Sequence, residues 1–141
     1  MKLIKQNILN VTGPAVICHQ VNCLGIMGAG IALQIRKEWE NVYIAYRDKD
    51  DWQLGDCQLV TIGDAQFIAN LAGQDGTGRD SRQTDYDALG RAFRQARDFA
   101  RANELQLYVP HMMGCGLAGG DWSVVSAMIK DIAPETIVCK L

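Results

Sequence analysis

"HMMGCGLAGGDW", residues 111–122, joins a strand-like run, "LQLYVP" (105–110), to a helix-like run, "WSVVSAMIKDI" (122–132), and carries four glycines. A glycine-rich passage from strand to helix brings backbone N–H groups close to a ligand, and the helix N-terminus beyond it favours an anion. A second stretch is built the same way. "VNCLGIMGAGIA" (21–32) leaves the β-branched, apolar run "AVICHQV" (15–21) and enters "GAGIALQIRKEW" (28–39), which reads as a helix opening on glycines. In open α/β sheets, ligands bind outside the carboxyl ends of the strands. Two such loops therefore predict a pinched site for a diphosphate. The plainer alternative is two tight turns.

The rest of the chain supplies a frame for those loops. "MKLIKQNI" alternates apolar and polar residues and reads as a strand near an edge. "CQLVTI" and "QFIANLA" flank "GDA" and read as a hairpin. "GQDGTGRDSRQT" (73–84) lacks periodicity and is expected to be a mobile loop. Thr84 is expected to cap the next helix, whose N-terminus suits Asp85 and Asp87. Tyr86, Leu89, Phe93, Ala96 and Phe99 fall on one face of it. Arg91, Arg94, Arg97 and Arg101 lie elsewhere and read as a solvated face, or else as a polyanion-binding stripe. Trp122, Val125, Ile129 and Ile132 make the stripe of the last helix, and "ETIVCKL" closes as a strand. In the helix of 28–39, Ile31, Leu33, Ile35 and Trp39 form no single stripe. The β–β–α–β–β–α–β–α–β order predicts an α/β sheet with helices on both faces.

At 141 residues the chain fits one domain, 1–141. Its net charge of −2 lacks the basic footprint of a duplex-binding protein, so no strong polynucleotide binding is expected. Cys18, Cys23, Cys57, Cys115 and Cys139 are odd in number and include no C-x-x-C pair, which argues against a disulfide framework and against a zinc knuckle. No metal cluster, signal peptide or membrane-length apolar run is visible. A reduced, cytoplasmic, monomeric protein that needs no cofactor is the expectation.

"GCGLAG" matches G-x-G-x-x-G, but that fingerprint belongs in a first βαβ unit with an acidic residue about twenty positions on. Here the chain ends near that place, so a dinucleotide-dependent dehydrogenase is rejected. "VNCLGIMGAGIALQIRKEW", "FIANLAGQ", "VPHMMGCGLAGGDW" and "IVCKL" together resemble macro domains, which bind ADP-ribose. The likeness spans essentially the whole chain. It is closest to the short branch of ADP-ribose-1″-phosphate phosphatases and ADP-ribosyl-ester hydrolases. It implies a three-layer α/β/α macro domain fold with a central mixed sheet of about six strands.

The resemblance also implies roles. "QNIL" stands where relatives carry an acid that takes the adenine amino group. Here it is Asn7, whose amide oxygen accepts from that amine without the charge, and the backbone of Ile8 would serve the ring too. Met27, Gly28, Ala29, Gly30 and Ile31, with Met113, Gly114, Cys115, Gly116, Leu117 and Ala118, would clasp the diphosphate and distal ribose. Leu141 would cover the adenine, unless it is a loose tail. Asn22, a catalytic candidate, matches a position beside the distal ribose; alternatively it stabilises its own turn. His19 is either a core histidine or a ligand contact. His111 is a candidate general acid or base, or a brace for the loop. Asp121 is a third catalytic candidate and an excellent N-cap.

One branch of these hydrolases uses a lysine after the "NL" strand and an aspartate after "GCGL". This chain has no lysine between Lys49 and Lys130, and Ala118 follows "GCGL", so a lysine adduct at the anomeric carbon is excluded. Gln74 would orient water without acting as a base. The expectation is a hydrolase that frees phosphate, or an acyl-linked group, from the distal ribose by water attack. His111 or Asp121 would assist proton transfer, and backbone N–H groups would stabilise developing charge. The alternatives are a non-catalytic ADP-ribose reader and a binder of an unrelated nucleotide.

Overall fold

The computed structural model describes residues 1–76 and 82–141. Six strands form one mixed sheet: β1 (Lys2–Lys5), β2 (Ala15–Asn22), β3 (Cys57–Gly63), β4 (Gln66–Gln74), β5 (Gln106–Pro110) and β6 (Ile137–Lys140). Their order is β1-β6-β5-β2-β4-β3. All neighbours are parallel except the β3–β4 hairpin, and β1 lies at an edge as its alternation predicts. Four helices join them: α1 (Gly30–Glu38), α2 (Glu40–Asp48), α3 (Tyr86–Ala102) and α4 (Trp122–Ile132).

Strand alternation divides the core. Val16 and Cys18 of β2 join Leu89 and Phe93 of α3 and Val125 and Ile129 of α4. Ala15, Ile17 and Val21 of the same strand join Ile35 of α1 and Val42 and Tyr46 of α2 on the other face. The result is the expected three layers. All of β2 is buried, because both faces of a central parallel strand are covered.

The element missing from the sequence expectation is α2. Trp39 (φ −132°, ψ 88°) leaves helical geometry between α1 and α2, so the apolar set of 30–48 serves two short helices with different axes. This is why α1 shows no single stripe. Asp85, not Thr84, caps α3: its side chain accepts from Ala88 N, while Thr84 pairs with Gln74 as an isolated bridge. The arginines of α3 follow the solvated reading. Arg91 pairs with Asp87, Arg97 with Asp98 and Arg101 with Glu135. The loop expected over 73–84 falls partly on 77–81, outside the described residues.

Beyond β2 the chain crosses to α1 on one face, and beyond β5 it crosses to α4 on the other. β2 and β5 are adjacent and parallel, so the two glycine loops leave the same end of the sheet and diverge. A crevice opens where connections diverge in this way.

Candidate functional site

That crevice is a cavity of about 540 Å³. One wall is Gly28, Ala29, Gly30 and Ile31 at the start of α1, and the facing wall is Met113, Gly114, Gly116, Leu117 and Ala118. Gln20, Asn22 and Gln74 line it from the ends of β2 and β4, and Pro110 and His111 from the end of β5. A second hollow, of about 370 Å³, is lined by Asn7, Ile8, Ile31, Pro110, His111 and Leu141, among others. Ile31, Pro110 and His111 border both, so the two are halves of one elongated trough.

Helix ends explain the polarity of the larger half. Asp85 caps α3 and Asp121 caps α4, but α1 begins at Ala29 with no side-chain cap and no acid in its first turn. Its first N–H groups and partial positive charge therefore face the cavity, ready for an anion. Among the described residues the cavity lining holds no Lys, Arg, Asp or Glu, and His111 is its one ionisable side chain. No group of three or more His, Cys, Asp or Glu placed to hold a metal occurs among the described residues.

Asn22 organises its own loop. Its Oδ1 accepts from Leu24 N (2.9 Å), Ile26 N (3.4 Å) and the Tyr46 hydroxyl (2.6 Å), and its Nδ2 donates to Ile26 O (2.8 Å). A register shift between Val21 and Asn22 turns the strand end toward α2, where Tyr46 waits. The amide oxygen expected to serve a ribose is thus occupied by the turn, although the side chain still lines the cavity. Asn7 is similar: its Oδ1 accepts from Leu9 N as the cap of a 3-10 turn, Ile8–Asn10.

Four expected residues do not reach the trough. His19 is fully buried on the α2 side of the sheet, where Nε2 donates to Asn70 Oδ1 (2.5 Å). Asn70 donates to Gln58, which donates to Ala45 O in α2. Burial pushes the His19 pKa down to about 4, against the pull of the Asn70 hydrogen bond, so it is a neutral core histidine. Met27 has no exposed surface and packs in the α1–α2 core. Cys115 turns away: its Sγ donates to Met113 O, and it packs against the α3–α4 core. Asp121 caps α4, accepting from Ser123 N (2.9 Å) and Ser123 Oγ (2.7 Å). Those hydrogen bonds hold its carboxyl below the usual range. Asp121 is exposed and is not among the residues that line the cavity.

His111 stays in place. Its backbone N–H donates to Cys139 O, and its ring meets Trp122 edge-on at 5.1 Å. Because it borders both halves, it sits at the neck of the trough rather than at the end lined by Gln20, Asn22 and Gln74. Sequence reasoning missed Gln20, Thr84 and Tyr46. Gln20 and Thr84 bind each other and brace Gly114, and Tyr46 holds Asn22. Their partners lie 24 to 64 residues away, so no local spacing announces them.

No family model matches the sequence, and no curated protein matches it. Solved structures do. A protein of unknown function from Bacteroides thetaiotaomicron is 29% identical, over 99% of this chain and 97% of its own, with a TM-score of 0.90. A macrodomain protein from Streptomyces coelicolor is 28% identical, over 99% of this chain and 97% of its own, with a TM-score of 0.82. Thermosipho africanus DarTG, solved in complex with ADP-ribose, is 17% identical over 89% of this chain and 38% of its own, with a TM-score of 0.73. That likeness is one of fold. The six-stranded mixed sheet between two helical layers, the two glycine loops at its switch point and the full-length likeness to a macrodomain agree. The chain has the macrodomain fold.

Proposed function

We propose that this domain binds ADP-ribose through backbone dipoles rather than charged side chains. The observation that carries the proposal is the uncapped N-terminus of α1 facing the glycine loop 114–118 across a cavity that runs on into the hollow at Ile8 and Leu141. A diphosphate between those walls meets N–H groups from both sides. The adenine then lies in the smaller hollow, on Ile8 and under Leu141, with Asn7 beside it. The distal ribose reaches the neutral amides of Gln20, Asn22 and Gln74. The ADP-ribose held by Thermosipho africanus DarTG, a protein of the same fold, supports this choice of ligand.

A second reading, hydrolysis at the distal ribose, is favoured by those converging amides, which suit the placement of a water molecule. Its means are narrow. Asp121 is a cap, no lysine lines the cavity among the described residues, and His111 sits at the neck beside the expected diphosphate. Any turnover would therefore run by water attack, helped by the ligand's own phosphates and by backbone N–H groups on the leaving group. Leaving groups within its scope are phosphate, from ADP-ribose-1″-phosphate, and an acyl-linked side chain. Binding without hydrolysis needs nothing further and is the reading the geometry supports best.

Two measurements test the proposal. Calorimetric titration with ADP-ribose is expected to give saturable binding, and its absence would refute the proposal. Mass spectrometry after incubation with ADP-ribose-1″-phosphate and with glutamate-, aspartate- and serine-linked ADP-ribosyl peptides is expected to show no consumption. Loss of one species would replace the binding reading with the hydrolase and name its leaving group.

A further inference from the structure

We propose that Thr84 is a positioning residue of this site, fixing both ends of the loop 114–118 so that its N–H groups are set before a ligand arrives. The inference rests on the reading of the cavity as an ADP-ribose site. Thr84 is almost fully buried, at 2% exposure, between the end of β4 and the start of α3. Its hydroxyl donates to Gly114 O at 2.6 Å, and its backbone N–H donates to Ala118 O at 3.2 Å. One residue thus grips the first and the last residue of the loop. Gln83 N adds a bond of 2.8 Å to Ala118 O, and Gly120 N one of 2.9 Å to Gly114 O.

Gln20 sets the direction of the hydroxyl. Its Nε2 donates to Thr84 Oγ1 (3.0 Å) and to Gln74 Oε1 (2.8 Å). With an N–H facing the oxygen, the single hydroxyl proton of Thr84 must point at Gly114 O. The clamp is itself anchored to the sheet, because Asp85 N donates to Gly73 O at 2.7 Å and Thr84 bridges to Gln74. Between those ends, among the described residues, the loop carries bonds from Cys115 N to Met112 O and from Gly119 N to Gly116 O, and Cys115 packs against the α3–α4 core. A Cβ on Gly116 would meet nothing within 4 Å, and Leu117 is 49% exposed. A loop tied to the sheet chiefly at its ends keeps its shape only while the ends are held. A ligand that finds it ordered is spared the cost of ordering it.

The test compares wild type, Thr84→Val and Thr84→Ser, by calorimetric titration with ADP-ribose and by amide hydrogen exchange of the ligand-free proteins. Valine keeps the shape and removes the hydroxyl; serine keeps the hydroxyl and removes the methyl. Thr84→Val is expected to raise Kd about tenfold and to speed exchange across 115–118 by a similar factor. Thr84→Ser is expected to restore both to near wild type. Should Thr84→Val lose its thermal unfolding transition, Thr84→Ala, which adds no buried methyl in place of the hydroxyl, serves the same comparison. A merely structural threonine would lower Tm in these variants and leave Kd and loop exchange alone; that result overturns the inference. If wild type does not bind ADP-ribose, the functional reading falls. Loop exchange, which needs no ligand, then decides the inference by itself: faster exchange in Thr84→Val with rescue by Thr84→Ser supports it, and unchanged exchange overturns it.

Discussion

Tyr46→Phe removes one oxygen atom from behind the loop that begins at Asn22. Tyr46 is fully buried, and its hydroxyl lies 2.7 Å from Asn22 O and 2.6 Å from Asn22 Oδ1. One proton serves both acceptors. In the phenylalanine variant Asn22 Oδ1 keeps two donors, Leu24 N and Ile26 N, so the cost falls mainly on the carbonyl. An unpaired buried acceptor costs about 1–2 kcal/mol, which for a domain of this size lowers Tm by roughly 3–6 °C. A pH signature separates this from a packing defect. Burial pushes the Tyr46 pKa up from 10 to about 12. From pH 10 to 12 the phenol of the unfolded chain ionises first, so wild type loses stability as pH rises through that window, on the order of 2 kcal/mol in all. The phenylalanine variant has no phenol to ionise, so the gap between the proteins narrows. Urea unfolding, followed by the fluorescence of Trp52 (5.3 Å from the Tyr46 ring), is to be run at pH 7.5 and 11. A gap below about 0.5 kcal/mol at pH 7.5, or one that holds or widens at pH 11, would refute the reasoning.

Two glycines of the second loop should part company. A Cβ on Gly116 meets no neighbour within 4 Å, and Gly116→Val is expected to keep wild-type Tm while losing the calorimetric signal for ADP-ribose; normal affinity in the folded variant would sink the loop's assignment. Gly120→Ala places a Cβ 2.5 Å from Gly114 O, a backbone atom, and is expected to destabilise by about 2 kcal/mol in a denaturant melt; an unchanged melt would show that the loop can shift. Asp121→Ala is expected to lower the midpoint of a denaturant melt through the lost cap and to leave ADP-ribose affinity unchanged. A parallel loss of affinity would return Asp121 to the site.

What the sequence shows is what repeats or caps locally. Strand alternation, the helical stripes at 86–99 and 122–132, and both glycine loops depend on near neighbours, and all stand where expected. Asp121 shows its cap by sitting one residue before a stripe. The unread parts depend on contacts far apart in the chain. His19 shares a strand with Gln20 and Asn22, and no spacing says that it faces α2 while Gln20 faces Thr84. The alternation rule itself fails at Asn22, where the register shift redirects the side chain. α2 was hidden because "ENVYIAYRD" follows Trp39 with no glycine or proline to mark a boundary, although Val42 and Tyr46 stand one helical turn apart. Asn22 shows the limit of likeness as well: resemblance placed it by the ribose, and geometry gives its oxygen to the turn.

The glycines divide by what each is for. Gly114 has φ +75°, which disfavours a side chain, and a Cβ there would press on Gln20 at 3.0 Å. Gly120 has no room for one either. The turn requires glycine at both positions whether or not a ligand exists. Gly28 and Gly116 differ. Neither lies in the left-handed region, and a Cβ would find an ordinary contact of 3.6 Å at Gly28 and open space at Gly116. The fold would accept alanine at either, and both line the cavity, one on each wall. Their missing side chains leave backbone uncovered on opposite sides of the same gap. Two tight turns alone would account for Gly114 and Gly120, but not for this pair. Gly28 and Gly116 make sense when something enters the gap and lies against backbone on both sides, and the uncapped end of α1 gives that visitor a negative charge.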